Sequence, residues 1–200
     1  MSGLRLLAAA TTPALRRAVF GGDDDLDEGG LRAALALCDP DGPADLGGRG
    51  DVWVCAPSQA ALQTARALAH DDPVVEKALA DPDYGTWTGL GLGDVAGTDP
   101  EGLHAWLTDP DAAAHGGESL AAVRRRVGAW LDTQPGQRAF AVAHPVVVRA
   151  ALTHALGLPD AAVWQLDVAP LSLIRLTHRS DRWHLSFPPV SRALRAVEPD

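Results

Sequence analysis

The chain has 200 residues, 46% of them hydrophobic and 22% charged, which is the composition of one globular domain with a core of its own. Asp and Glu outnumber Lys and Arg by 26 to 17, giving a formal net charge of -9. No basic stripe appears beyond Arg124-Arg125-Arg126 in a helical pattern, so nucleic acid is not an expected partner. No apolar stretch approaches the ~20 residues of a membrane-spanning helix. The first residues, through Arg16-Arg17, read as a strand and loop rather than a leader, because Arg5 interrupts a short apolar run. Cys38 and Cys55 alone build no disulfide framework and suit a reduced, cytoplasmic setting.

In chain order, Leu4 to Ala8 reads as a buried strand and Ala10 to Asp25 as a loop. Within that loop, Thr12 before Pro13 is a start signal for a short helix. Leu31 to Cys38 has a helix pattern, Asp39 to Arg49 is a Pro/Gly/Asp surface connection, and Asp51 to Cys55 is a second strand. Ser58 to His70 is a helix with Ala61, Leu62, Ala65 and Leu68 on its apolar face. Pro73 to Ala80 is a short strand or extended link.

Pro82 to Asp99 (PDYGTWTGLGLGDVAGTD) carries five glycines and reads as a loop of the kind that rims a site. Pro100 to Leu107 is a short helix, Asp109 to Gly117 a loop, and Glu118 to Leu131 a helix with Leu120, Val123, Val127 and Trp130 on one face. Phe140 to Ala143 is an apolar run that breaks at His144-Pro145 and resumes as a helix from Val146 to Leu156. That is a buried parallel strand feeding a helix, with His144 at the strand end where open α/β sheets collect ligands. Asp160 to Trp164 is a further short helix. Leu171 to Thr177 and Arg182 to Phe187 form a late hairpin around Arg179-Ser180-Asp181, and the tail from about residue 191 is polar and loose. Strands alternating with helices predict one α/β domain over residues 1–200, with a mainly parallel sheet covered on both faces.

Other patterns are weaker. His104 and His115 lack metal-ligand spacing with a third residue. Ser58 stands outside any nucleophile elbow, and Gly89 to Gly93 is no dinucleotide fingerprint. No metal and no organic cofactor are expected. Trp53 and Trp130 are expected in the core, and an exposed group among the six tryptophans would mark an interface such as that of a homodimer.

Four segments together, in order and spacing, resemble the histidine phosphatase superfamily with its phosphoglycerate-mutase-like fold. They are Pro57 to Ala65 (PSQAALQTA), Asp81 to Gly89 (DPDYGTWTG), Gly116 to Ser119 (GGES) with the Arg124-to-Trp130 helix, and Ala143-His144-Pro145 to Arg149. The resemblance implies a nucleophilic histidine at the end of the first strand. A second histidine and two arginines then hold the phosphoryl oxygens, and an acid protonates the leaving oxygen. Arginine suits that task because its planar fork makes paired, charge-assisted bonds to phosphate.

Carried over residue by residue, the family's Arg-His-Gly, acidic residue and Thr fall on Ala8-Ala9-Ala10-Thr11-Thr12. The nucleophile position is Ala9, its arginine neighbour is Ala8, and the second pocket arginine is Ala60. His144 stands as the second histidine and Arg17 as the arginine of the loop after the first motif. Asp81 takes the acid's position, one methylene shorter than the usual glutamate, with Asp83 a nearby substitute. Thr12 and Glu118 complete the implied binding residues.

Two function classes follow. One is a pseudophosphatase, a fold whose emptied pocket binds a small molecule, a phosphate ester or a partner. The alternative is an active phosphoric-ester hydrolase or mutase-like enzyme with altered chemistry, using His144 as nucleophile or base, Asp81 as acid and Arg17 or Arg149 to hold an anion. In that alternative Arg149 is the weaker candidate, expected to brace the helix flank.

Overall fold

The computed structural model describes residues 3–38, 46, 51–68 and 72–187. A six-stranded sheet runs in the order β3-β2-β4-β1-β5-β6. The strands are β1 (Gly3–Ala8), β2 (Val52–Cys55), β3 (Val74–Val75), β4 (Arg138–Ala143), β5 (Leu173–Arg179) and β6 (Arg182–Ser186). β1 pairs parallel with β4 from Gly3↔Arg138 to Ala8↔Ala143, and β2 pairs parallel with both β4 and β3. The late hairpin adds β5 and β6 antiparallel beside β1. The sheet is therefore parallel through its first four strands and antiparallel at one edge.

Helices α1 (Pro13–Arg16) and α2 (Glu28–Ala36) follow β1, and α3 (Gln59–Ala67) follows β2. Then come α4 (Leu92–Thr98), α5 (Pro100–Thr108), α6 (Leu120–Leu131) and, after β4, α7 (Pro145–Ala155). From β1 through β2 to β3 the chain steps one way across the sheet; from β3 to β4 it steps back. Right-handed crossovers then put α2 and α3 on one face and α6 on the other. α2 packs on α3 and α6 on α7, as that handedness requires. The direction reverses between the adjacent strands β1 and β4, so their C-terminal ends frame the crevice where such sheets bind ligands.

β4 is buried from Ala139 to Ala143, and Phe140 stacks on Trp53 at 4.0 Å between ring centroids. Trp53 and Trp130 both belong to the main core. A second cluster joins Phe20, Tyr84, Trp87, Val95, Leu103, Trp106, Leu120 and Val163 beside the crevice.

The stretch expected to be one long glycine loop holds more structure. A 3-10 turn spans Gly85–Trp87, and α4 occupies Leu92–Thr98. Two local contacts make the helix. The Asp94 carboxylate accepts the Gly91 N–H at 3.2 Å, and Val95 is fully buried. The segment is also tied to the loop after α1, with Gly89 N–H donating to Phe20 O at 2.8 Å and Phe20 N–H to Leu90 O at 2.9 Å. The connection expected over residues 39–49, the position of His70 and the tail beyond residue 187 lie outside the described residues, apart from residue 46.

His115 is fully buried, and its Nδ1 accepts the Gly117 N–H at 3.0 Å. Burial pushes the imidazole below its ordinary value of 6.5, against a smaller opposing pull from Asp83. The folded pKa lies below the unfolded one. The stability tied to a neutral His115 is thus full above about pH 6.5 and is lost as pH falls from there through the folded pKa. In melting curves between about pH 7 and pH 5, His115→Gln is expected to show a flatter pH dependence than the unmodified protein.

Candidate active-site cavity at the β1/β4 switch point

A cavity of about 320 Å³ opens at the crevice between the ends of β1 and β4. Thr12, Ala60, Asp81, Tyr84, His144 and Arg149 are among the residues that line it. The walls are largely apolar: Leu15, Val19 and Phe20 after β1, Leu92 of α4, Trp106 and Leu107 of α5, and Trp164. The aromatic members brace one another, with Phe20 5.3 Å from Tyr84 and Trp106 4.7 Å from Trp164.

The segment that the resemblance matches to the first motif, Ala8 to Thr12, reaches the cavity through Thr12. Ala8 and Ala9 are buried and do not line the cavity; Ala60 is buried and does. The backbone here is closed tightly. Ala9 N–H donates to Ala143 O at 2.8 Å and Ala10 N–H to the Thr64 hydroxyl at 3.0 Å, while that hydroxyl donates to Ala60 O at 2.7 Å. Thr12 is buried as the N-cap of α1 and accepts the Leu15 N–H at 3.1 Å.

Two backbone donors that face this region are already taken by the chain itself. The Asp24 carboxylate accepts Ala14 N–H at 3.0 Å at the start of α1, and the Asp23 carboxylate accepts Gln59 N–H at 2.6 Å at the start of α3. Helix N-termini ordinarily favour a bound anion. Here two side-chain carboxylates hold that place, and both residues line the cavity.

His144 is the N-cap of α7, and its Nε2 lies 3.1 Å from the Ser58 hydroxyl oxygen. Ser58 is the N-cap of α3 and also accepts the Ala61 N–H at 3.3 Å. Sequence reasoning set Ser58 aside for want of an elbow, and a contact across 86 positions leaves no local trace. The signal that was available is Ser58's capping position, which fixes the hydroxyl at the β2 end of the crevice.

Asp81 is half-buried, and its Oδ1 is out of solvent with no hydrogen-bond partner among the described residues. Burial pushes its carboxyl above the ordinary carboxylate range. His144 and Arg126 pull it down and Glu118 adds to the rise, but burial is the larger effect. A carboxyl whose hold on its proton is strengthened in this way is better suited to donating one. The same burial, with the Asp81 charge nearby, pushes the Tyr84 hydroxyl well above its ordinary range.

Four of the expected residues are placed as follows. Arg17, the C-cap of α1, is exposed and outside the cavity lining, and its Nε donates to Pro13 O at 3.2 Å. Glu118 does not line the cavity either. Arg126 grips both its carboxylate oxygens at 2.8 Å and also donates to Ala78 O and Asp81 O. Asp83 is exposed, does not line the cavity, and its carboxylate accepts the Gly85 N–H at 2.8 Å. Arg149, expected to brace the helix flank, is the cavity's own guanidinium. Among the described residues no three metal-ligating side chains gather, and no helix is long and apolar enough to cross a membrane.

Comparison with known proteins accounts for this architecture. Residues 9–188 match the family described as the histidine phosphatase superfamily, branch 1. A phosphoserine phosphatase 1 of Hydrogenobacter thermophilus is 29% identical over 167 residues, covering 78% of this chain and 77% of that protein. The bifunctional protein Rv2228c of Mycobacterium tuberculosis is 35% identical over 130 residues, 60% of this chain; the match spans only 35% of that longer relative. Among solved structures, a mycobacterial glucosyl-3-phosphoglycerate phosphatase in complex with VO3 superposes with a TM-score of 0.79 at 26% identity, covering 93% of this chain and 98% of that one. The alpha-ribazole phosphatase of Shigella flexneri shares the fold, with a TM-score of 0.78 at 22% identity over 92% of this chain and 94% of its own. With its six-stranded sheet, its switch-point histidine and a family match across most of its length, the chain belongs to the histidine phosphatase superfamily.

Proposed function

We propose that this protein is a pseudophosphatase, a member of its family that binds a small molecule in the β1/β4 cavity and forms no phosphohistidine. One observation carries the reading: Ala8, Ala9 and Ala60 occupy the places where the family resemblance puts arginine, histidine and arginine. Alanine cannot be phosphorylated, and loss of a covalent nucleophile costs on the order of 10⁶ in rate in the subtilisin example. Each missing charge-assisted bond to phosphate removes a further ~1.5–3 kcal/mol of affinity. The Asp23 and Asp24 carboxylates add repulsion where a phosphate would sit. The free thiols of Cys38 and Cys55 fit a cytoplasmic setting.

The test is hydrolysis of an aryl phosphate. The unmodified protein is expected to show no turnover above background. A variant with Ala8→Arg, Ala9→His and Ala60→Arg is expected to acquire it, despite an overpacking cost of about 1–3 kcal/mol at each position. Turnover by the unmodified protein that vanishes in His144→Ala overturns the proposal.

A second reading, an altered hydrolase, draws on the Ser58–His144 contact and on the raised Asp81 carboxyl. Its relatives include phosphatases whose names specify phosphoserine and glucosyl-3-phosphoglycerate. On this reading His144 serves as base or nucleophile and Asp81 as the proton donor. The same hydrolysis assay, with Asp81→Asn beside His144→Ala, separates it from the first.

A further inference from the structure

A second cavity, of about 210 Å³, is lined by Arg5, Arg138, Arg175, Thr177, Arg179 and Ser186 together with Gly3. The sequence keeps these cations far apart; strand pairing gathers them. β1 and β4 start side by side, with Gly3 opposite Arg138. Arg5 stands directly opposite Arg175 across β1 and β5, and Arg175 opposite Ser186 across β5 and β6. Side chains alternate along a strand, so Arg175, Thr177 and Arg179 share one face of β5, while Leu176 is buried on the other. From Gly3 to Ala8 is roughly 16 Å along β1 at ~3.3 Å per residue, which sets this cavity apart from the one at the switch point.

Charge decides what the cavity can hold. No carboxylate is among the described residues that line it. Asp51 beside it accepts from Arg5 Nη1 at 2.9 Å and from Arg138 Nε at 2.8 Å, and its side chain is fully out of solvent. One buried carboxylate thus fixes two of four guanidiniums. Among the described residues the cluster keeps a surplus of positive charge, in a chain whose formal net charge is -9. Like charges directly opposite across a β ladder are destabilising, and Arg5 opposite Arg175 is such a pair. A bound anion offsets that repulsion. The cations are within reach of one: the Arg138 side chain is 49% exposed, that of Arg5 16%, and Arg179 is exposed.

Shape narrows the class. The volume lies below the usual range for drug-sized ligands and admits a compact group. Guanidiniums come from three strands, β1, β4 and β5, and hydroxyls from β5 and β6. A tetrahedral dianion presents acceptor oxygens in several directions at once, whereas a carboxylate presents two in one plane. We propose that this cavity is an anion site for a phosphoryl group, either free phosphate or the phosphate of a small ester, held by Arg5, Arg138, Arg175 and Arg179 with the Ser186 hydroxyl. The site is independent of the chemistry at the switch-point cavity.

The experiment is isothermal titration calorimetry near pH 7 in a low-salt, phosphate-free buffer, with inorganic phosphate, phenyl phosphate and succinate as probes. Saturable binding of inorganic phosphate is expected, with succinate weaker by about tenfold or more. Arg179→Met is expected to weaken phosphate by about tenfold, and Arg179→Lys, which keeps the charge without the fork, by less. Melting curves show each variant folded. Phenyl phosphate matching inorganic phosphate supports a site that reads the phosphoryl group alone; tighter phenyl phosphate that is weakened by Arg179→Met supports an ester as the ligand. Phosphate binding unchanged in Arg179→Met overturns the proposal, and its loss in Arg149→Met then places the anion at the switch point instead. Tighter binding of succinate, tighter binding of a single-stranded oligonucleotide in the same buffer, or no saturable response to phosphate also overturns it. Aryl phosphate turnover by the unmodified protein strikes only the reading of the switch-point cavity.

Discussion

Gly85→Ala is expected to destabilise the protein by about 2–4 kcal/mol in urea unfolding, a large loss for one methyl group. Gly85 has φ +46°, in the left-handed region that costs an alanine about 1–2 kcal/mol. A Cβ there would also run into the backbone carbonyl oxygen of His115, which cannot swing away like the end of a side chain. That carbonyl already accepts the Thr86 N–H at 2.9 Å. From the other side, Glu118 N–H donates to Asp83 O at 2.7 Å, and a Cβ on Gly117 would strike the Asp83 carbonyl. Two loops are thus joined backbone to backbone, and two glycines make the approach possible. Gly93→Ala is the control: it lies in α4 with no atom near its would-be Cβ, and a gain of about 0.5–1 kcal/mol is expected. A Gly85→Ala variant as mild as Gly93→Ala would refute the account.

That contact also shows where the sequence was readable. Short-range signals carried far. Thr12 before Pro13 starts α1, Ser58 starts α3, and the break at His144-Pro145 divides β4 from α7. Each depends on neighbours within four positions, and each is present in the structure. α4 was hidden because glycines at 91, 93 and 97 dilute its period, and its order comes from one carboxylate cap and one buried valine. Partners far apart in the chain were hidden altogether. Nothing local says that Ser58 reaches His144, that Arg149 turns into the cavity, or that Asp23 and Asp24 settle on the amides of α3 and α1. Glu118 was assigned by motif to the binding set. It stands one residue before the Ser119 cap of α6, and from there its carboxylate reaches back along the helix to Arg126, a pairing no i,i+4 rule anticipates. The assignment of Ala8, Ala9 and Ala60 to the phosphate-binding positions came from the family resemblance, which local periodicity does not supply.

Arg126→Met is expected to cost about 2–4 kcal/mol and to shift the titration of Asp81 upward. The guanidinium makes a two-pronged pair with Glu118 and spends its other donors on the carbonyls of Ala78, at 2.7 Å, and Asp81, at 3.3 Å. It thereby pins the segment that delivers Asp81 to the cavity onto α6. Removing one partner of a fully buried pair costs about 3–5 kcal/mol. Here the side chains keep 25% and 21% of their exposure, so water recovers part of the loss. Two controls separate charge from packing. The double variant Arg126→Met/Glu118→Met is expected to lose less than the single one, since no lone carboxylate remains. Glu118→Gln, which keeps the shape, is expected to be milder than Arg126→Met. The Asp81 readout follows from sign. Arg126 pulls the Asp81 carboxyl down against the larger effect of burial, so its removal leaves burial less opposed. A carboxyl whose folded pKa is raised contributes stability below its unfolded pKa and loses it as pH rises through the folded value, and in Arg126→Met that loss moves to higher pH. Carboxyl carbon chemical shifts of Asp81 followed against pH measure it directly. A downward or absent shift with a folded variant would mean that Arg126 holds Asp81 through the backbone alone.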